Sequence, residues 1–213
     1  MPAQFPALYA ILDPRLISSP VLALAESLAR SGVKLIQLRD KRSSTRQMFS
    51  EVQSLVRIFS PRAARLIVND RPDVAALSDS GGVHVGQDDL PVEEARKICA
   101  PPMWVGVSTH NLEQLRQAEG SSADYIAVGP IFPTGTKENP DPVVGVEFVR
   151  KARELTRKPL VAIGGITIQS AAEVYSAGAD SLAVIRDLIA APDPAARARE
   201  YLAVAEKVRV TKL

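Results

Sequence analysis

The sequence predicts an α/β protein, a single (β/α)8 TIM barrel, and three observations point there. Short apolar runs alternate with amphipathic stretches eight times, at a spacing of about 25 residues; this implies parallel strands joined by helical crossovers, and eight is the number that closes a barrel. The unusual polar residues fall just past the C-terminal ends of those runs, the face on which such barrels carry their chemistry. The rival, a doubly wound open sheet, would normally show G-x-G-x-x-G after its first strand, and Asp13-Pro14-Arg15 is nothing like it.

Residues 8–12 are a compact apolar run stopped by Asp13-Pro14, which reads as strand one. Ser19-Pro20 opens an amphipathic helix to about residue 30, with Leu22, Ala25, Leu28 and Ala29 on one face and Gly32 past its end. Strand two is expected over 33–39. A helix over 45–59 sets Met48, Val52, Leu55, Val56 and Phe59 at helical spacing and stops at Pro61. Strand three covers 65–69, with a short helix from Pro72 to about Ser78. Strand four covers 82–86, its helix 91–99; strand five covers 104–108, its helix 111–119.

Strand six is 125–128. A long Gly/Pro-rich loop then runs over 129–145, ahead of a helix from Val146 to about Thr156. Strand seven is 160–163, closed by Gly164-Gly165, with a helix over 170–177. Strand eight is 181–185, and a last helix spans 194–207. No linker or low-complexity segment interrupts this order, so residues 1–213 read as one domain.

A chain of 213 residues, 46% hydrophobic and 23% charged, can bury one large core. A net charge of +2 offers no broad field for nucleic acid or a membrane surface. No apolar run is long enough to span a bilayer. Pro2 and Pro6 stand where a signal peptide would need a basic and then an apolar segment, so none is expected. The lone Cys99 argues for a reducing compartment, hence a cytoplasmic protein, and reads as inert packing. The oligomeric state is left open, and a homo-oligomer is compatible with this composition.

Asp70 and Asp89 each follow a short apolar strand, nineteen positions apart. Acids just past two neighbouring strands leave the core at the same rim. Paired oxygen ligands there are what a hard cation such as Mg²⁺ needs, with water and substrate phosphates completing its shell. Both could instead be helix N-caps, a position Asp favours.

Gln37, Arg39 and Lys41 alternate at the end of strand two, so their side chains share a face. An amide and two cations at a barrel mouth suit a polyphosphate; a surface ion pair with Asp40 or a solvated strand end is the plainer alternative. In the loop after strand six, Gly129 and Pro130 set an unusual backbone path. Thr134 and Thr136 there offer hydroxyls and Lys137 a charge; a structural crossover is the alternative. Gly164-Gly165 would let a ligand approach the backbone, or would simply supply a turn at positive φ.

Ser108 reads as a ligand-binding hydroxyl at the end of strand five; His110 reads as a helix-start residue ahead of Asn111, with substrate binding or proton transfer near neutral pH as the alternative; His84 reads as filling the barrel interior rather than ligating a metal. There is no His/Cys cluster for zinc or iron and no G-x-S-x-G elbow. One hard-cation pair, two phosphate-seeking patches and no obvious nucleophile suit metal-assisted departure of pyrophosphate and attack by a second bound molecule. Positioning and electrostatics would then do most of the catalysis.

Six segments, in order and at compatible spacing, carry a resemblance over nearly the whole chain. They are Gln37-Leu38-Arg39-Asp40-Lys41, Asn69-Asp70-Arg71, Val83 through Pro91, Gly106 through His110, Gly129 through Lys137, and Ala162 through Ile166. The chain resembles the thiamine phosphate synthase family. That resemblance implies small-molecule substrates: hydroxymethylpyrimidine diphosphate joined to thiazole phosphate, giving thiamine phosphate and pyrophosphate with the help of Mg²⁺. It implies that Asp70 and Asp89 hold the metal. Gln37, Arg39, Lys41, Asn69, Ser108 and Lys137 would hold the pyrimidine and its diphosphate, with Arg39, Lys41, Ser108 and Lys137 as the catalytic set. Thr134, Thr136 and Gly165, with Ile185 and Arg186 at the end of strand eight, would hold the thiazole phosphate. The sequence departs from the family at Val184-Ile185-Arg186-Asp187, where Val-Ser and a small residue are usual. The alternatives are a thiazole tautomerase of the same fold and a sensor that binds thiazole phosphate without turnover. The Asp70–Asp89 pair and the cationic row argue against both.

Overall fold

The computed structural model describes residues 5–136 and 141–211; Pro2 and Lys137 lie outside the described residues. Eight parallel strands close into a barrel in sequence order. They are β1 (Leu8–Leu12), β2 (Leu35–Leu38), β3 (Arg65–Asn69), β4 (Gly82–Val85), β5 (Trp104–Thr109), β6 (Tyr125–Val128), β7 (Leu160–Ile163) and β8 (Ser181–Val184). The helices between and after them are α1 (Val21–Arg30), α2 (Thr45–Phe59), α3 (Pro72–Leu77), α4 (Val92–Ile98), α5 (Leu112–Glu119), α6 (Val146–Leu155), α7 (Ile168–Ser176), α8 (Arg186–Ile189) and α9 (Pro194–Thr211).

Strand alternation divides the apolar residues into two cores. Leu8, Ala10 and Leu12 face outward against the helices, while Tyr9 and Ile11 face inward with Leu35, Ile67, Tyr125, Ala127, Val161 and Ala183. With both faces covered, the strands carry no polar stripe, which is why they read as continuous apolar runs. The helices dock through one stripe each. On α2, Met48, Val52, Leu55 and Phe59 are buried, and Ser44 and Gln47 close a capping box at its start. Each such side chain contributes about 1.5–3 kcal/mol on burial, so packing outweighs intrinsic propensity in holding the helix.

The N-terminal end of the barrel is shut by aromatics. Phe5 stacks on Trp104 with ring centroids 5.2 Å apart, Tyr125 lies tilted against Phe5, and the Arg65 guanidinium sits 4.0 Å over the Trp104 ring. Gly106 makes room for this plug, because a Cβ there would overlap the Tyr125 ring. The polar ends of β2, β3, β4 and β5 are left to line the opposite mouth. In register, Gln37 lies beside Ile67, Asn69 beside His84, and His84 beside Gly106.

Strand and helix ends differ from expectation at several places, and Leu22, expected on the packed face of α1, is exposed while Leu24 is buried there; three further differences bear on the site. β2 ends at Leu38, so Lys41 lies beyond the strand and the alternation of Gln37 and Arg39 does not extend to it. α7 starts at Ile168, because Thr167 and Ser170 cap each other and Ser170 is thereby inside the first turn. β8 ends at Val184, and a single turn of helix, α8, follows Ile185; one turn is too short to leave a periodic signal. Among the described residues no helix is long and apolar enough to cross a membrane.

Candidate active site

The mouth of the barrel holds a cavity of about 330 Å³ lined from almost every strand end. Gln37, Arg39, Asn69 and Ser108 line one part of it; Thr134, Thr136, Gly165, Ile185 and Arg186 line another. Lys41, Asp70 and Asp89 are not in that lining, and Lys137 lies outside the described residues.

Asp70 and Asp89 come together. Burial, and the carboxyl of Asp89 at hydrogen-bond range, push the Asp70 carboxyl up to about 6 against the opposing pull of the Lys41 ammonium. Lys41 and Asp70 form an ion pair. Asp70 sits at φ 60°, a strained conformation that turns its side chain off the end of β3. Asp89 is anchored from its own loop, its Oδ2 accepting from the Gly86 N–H at 2.8 Å. Neither acid is a helix N-cap: Arg71 precedes α3 and Pro91 precedes α4, and neither end carries a side-chain cap. Among the described residues no group of three or more His, Cys, Asp or Glu gathers around one point, so the acidic centre is this pair.

Arg39 does not face Asp40, whose carboxylate instead accepts from the Arg42 and Ser43 N–H groups. Arg39 donates to Asp13 Oδ2 at 2.7 Å, and Arg15 donates to both oxygens of the same carboxylate, at 3.0 and 2.7 Å. Asp13 is fully buried. Burial alone would raise its carboxyl, but hydrogen bonds from Arg15 and the charges of Arg15 and Arg39 outweigh that and hold it below the ordinary value. One buried acid thus fixes two guanidinium groups near the cavity. Arg15 is a residue the sequence reading passed over; its only signal was its place just after strand one.

The loop after β6 is stitched down as an extra edge. Ile131 N–H donates to the Ile163 carbonyl at 2.9 Å and Phe132 N–H to the Gly164 carbonyl at 3.0 Å, and Ile131 is fully buried. Gly164 and Gly165 have φ of 100° and 64°. A Cβ on either would strike Pro130, Phe132 or Pro133, so these glycines serve a positive-φ turn packed under the loop. At the loop tip Arg186 donates to the Gly135 carbonyl at 3.0 Å and to Thr136 Oγ1 at 3.3 Å. Arg15 reaches the Thr136 carbonyl from the other side at 3.5 Å.

His110 stands directly ahead of Asn111, the cap of α5, which accepts from Gln114 N–H, and its own N–H donates to Gln114 Oε1 at 2.7 Å. It lines the cavity, with Nδ1 on the Gly129 carbonyl and Nε2 3.3 Å from Asp141. His84 is buried in the barrel interior as expected, bonded to Tyr125 Oη at 3.0 Å and to Ser108 Oγ at 2.9 Å. Tyr9 and Tyr125 were invisible as polar groups inside apolar strands; their hydroxyls meet at 2.9 Å, and Gln37 Nε2 donates to Tyr9 at 2.7 Å. Burial pushes both phenols well above their ordinary value, so they remain neutral. Cys99 is buried, its thiol raised by burial, and packs against the Pro72 carbonyl.

Residues 8–188 match the sequence profile of the family described as thiamine monophosphate synthase. The chain is 48% identical over 206 residues to a thiamine-phosphate synthase of Koribacter versatilis, covering 94% of this chain and 96% of that one. It is 43% identical over 180 residues to that of Methanospirillum hungatei, covering 84% and 87%. The solved thiamine phosphate pyrophosphorylase of Pyrococcus furiosus superposes with a TM-score of 0.87 at 36% identity, covering 95% of this chain and 96% of that one. With a barrel mouth of the described geometry and this likeness along its length, the chain belongs to the thiamine monophosphate synthase family.

Proposed function

We propose that the chain joins hydroxymethylpyrimidine diphosphate to thiazole phosphate, giving thiamine phosphate and pyrophosphate. The observation that carries this reading is the Asp70–Asp89 pair with Lys41, set beside a cavity lined by Arg39 and Arg186. The reaction balances without a base. The C–O bond between the pyrimidine methylene and the diphosphate breaks, its electron pair leaves on the diphosphate, and the thiazole nitrogen lone pair forms the new C–N bond. No proton has to be removed, which agrees with a site that offers cations and hydroxyls rather than a nucleophile and its base.

Two carboxylates, with no third acidic ligand gathered around them among the described residues and with burial opposing the charge on Asp70, fit Mg²⁺, which commonly binds through one or two carboxylates plus substrate phosphates. Bound there, Mg²⁺ would neutralise the diphosphate and make it a better leaving group. The protein's own groups do the rest. Lys41, freed from Asp70, and Arg39, held rigid by Asp13, face the departing charge. Gln37, Asn69 and Ser108 orient the pyrimidine. Thr134, Thr136 and Arg186 hold the thiazole phosphate, so that its nitrogen meets the methylene carbon as the old bond breaks.

The test is to incubate the protein with each substrate alone and with both, with and without Mg²⁺, and to measure pyrophosphate. Release is expected only with both substrates and metal. Release from the pyrimidine alone, or no release under any condition, would overturn the reading.

A further inference from the structure

A chain of hydrogen bonds crosses the barrel interior from β2 to β5: Gln37 to Tyr9 at 2.7 Å, Tyr9 to Tyr125 at 2.9 Å, Tyr125 to His84 at 3.0 Å, and His84 to Ser108 at 2.9 Å. We propose that Tyr9, Tyr125 and His84 are positioning residues which, by polarising this chain in one direction, set Gln37 as an acceptor and Ser108 as a donor toward the cavity and so select an aminopyrimidine over an oxopyrimidine. This inference rests on the proposed function.

The proposed direction starts from Gln37. Gln37 Nε2 can only donate, so Tyr9 Oη accepts from it. In the proposed direction Tyr9 gives its single hydrogen to Tyr125, and Tyr125 gives its own to His84 Nδ1; the reverse order would leave Ser108 an acceptor toward the cavity, and the ring preference measured below separates the two. A neutral imidazole that accepts at Nδ1 carries its hydrogen on Nε2 and donates it to Ser108 Oγ. The Ser108 hydrogen is left for the cavity that Ser108 lines. At the other end the Gln37 amide nitrogen is committed to Tyr9. Among the described residues Ser181 Oγ is the one buried side-chain polar atom without a partner, so the carbonyl oxygen of Gln37 is open to the same cavity. Tyr125 is fully buried and Tyr9, Gln37 and His84 nearly so, so water does not reorient these links.

In that direction the cavity meets a ring with one acceptor, at Gln37, and one donor, at Ser108. A 4-aminopyrimidine supplies the complement, an exocyclic N–H donor and ring nitrogens that accept. A 4-oxopyrimidine supplies a carbonyl acceptor and a ring N–H donor, the reverse order. A site built around such bonds rejects the mismatched ring because its own polar groups are left unpaired.

The experiment compares kcat/KM for the 4-amino and 4-oxo pyrimidine diphosphates in wild type, Tyr125→Phe and Tyr9→Phe, with KM for thiazole phosphate and a melting curve for each protein. Wild type is expected to favour the amino ring by at least about 100-fold. Each variant should reduce that preference about tenfold or more and raise KM for the pyrimidine, while KM for thiazole phosphate stays put. Tyr9→Phe cuts the chain at its other end and serves if Tyr125→Phe does not fold. A preserved preference in a folded variant overturns the inference and leaves the function standing, as does an equal rise in both KM values, which a merely structural role would give. A wild-type protein that turns over neither pyrimidine overturns both.

Discussion

Lys41, three residues beyond the end of β2, reaches across to form an ion pair with Asp70, the first residue after β3. The carboxyl of Asp89 faces Asp70 as well, so the acid that Lys41 pairs with has a second carboxyl against it. Burial opposes the charge on Asp70 further. A packed pair of this kind works against the stability of the empty protein, and it is the arrangement a divalent cation relieves.

Asp89→Asn tests that trade. It removes one negative charge from the pair and keeps the shape, and an Asn oxygen can still accept from Gly86 N–H. The empty variant should melt at or above the wild-type temperature, because the repulsion on Asp70 is gone. Turnover should fall on the order of 10²–10³-fold, and the rise in melting temperature expected of wild type with Mg²⁺ and pyrophosphate should be absent. Unchanged kinetics, or an unchanged metal-induced shift, would remove Asp89 from the proposed metal site.

Asp13 governs the acid side of the stability curve. Its carboxyl is held below the ordinary value of 3.8 in the folded chain. A depressed pKa contributes stability that is fully present above the unfolded value and is lost as pH falls through the folded one. Wild type should therefore lose stability as pH drops below about 4. Asp13→Asn leaves Arg15 and Arg39 without their shared buried partner, at a cost of about 3 kcal/mol at neutral pH. It should also flatten the acid limb. Urea unfolding at pH 7 and at pH 3.5 measures both effects, and an unaltered acid limb would show that Asp13 does not carry it.

Gly165→Ala combines two penalties. At φ 64° an L residue costs about 1–2 kcal/mol, and the new Cβ would lie 2.6 Å from the Pro133 carbonyl and 2.8 Å from Phe132 Cβ. Together these predict a fall in melting temperature of about 4–12 °C, together with a loosened loop tip. A melting curve that matches wild type would mean that the loop yields without cost.

Much of this arrangement was legible in the sequence because it repeats. Eight apolar runs with carboxylates, amides or glycines at their ends give the barrel and its working face, and Asp70 and Asp89 fall at one rim by that logic alone. What repeats nothing was illegible. The Tyr9–Tyr125 bond joins residues 116 positions apart inside strands whose pattern is purely apolar, and a phenol inside such a run counts as another large side chain. Arg39 was expected on a row with Lys41. Its actual partner, Asp13, comes from the opposite flank of the same strand pair, where β1 and β2 end together. The single turn α8 was too short for any periodicity, and it is the element that begins with Arg186.

Arg186 stands where the resemblance leads to the expectation of Val-Ser and a small residue, and its geometry gives that difference a direction. Its guanidinium lines the cavity and is bonded to the Gly135 carbonyl and to Thr136 Oγ1. Both groups belong to the loop tip proposed to cradle the thiazole phosphate. A phosphate arriving there offers a stronger partner than a neutral carbonyl, since charge-assisted bonds are roughly twice as strong as neutral ones. Arg186→Ser, which restores the small hydroxyl residue, should raise KM for thiazole phosphate about tenfold and leave KM for the pyrimidine diphosphate unchanged. Steady-state kinetics with each substrate varied in turn decides it. A fall in KM for thiazole phosphate would mean that the guanidinium occupies the phosphate's space rather than binding it.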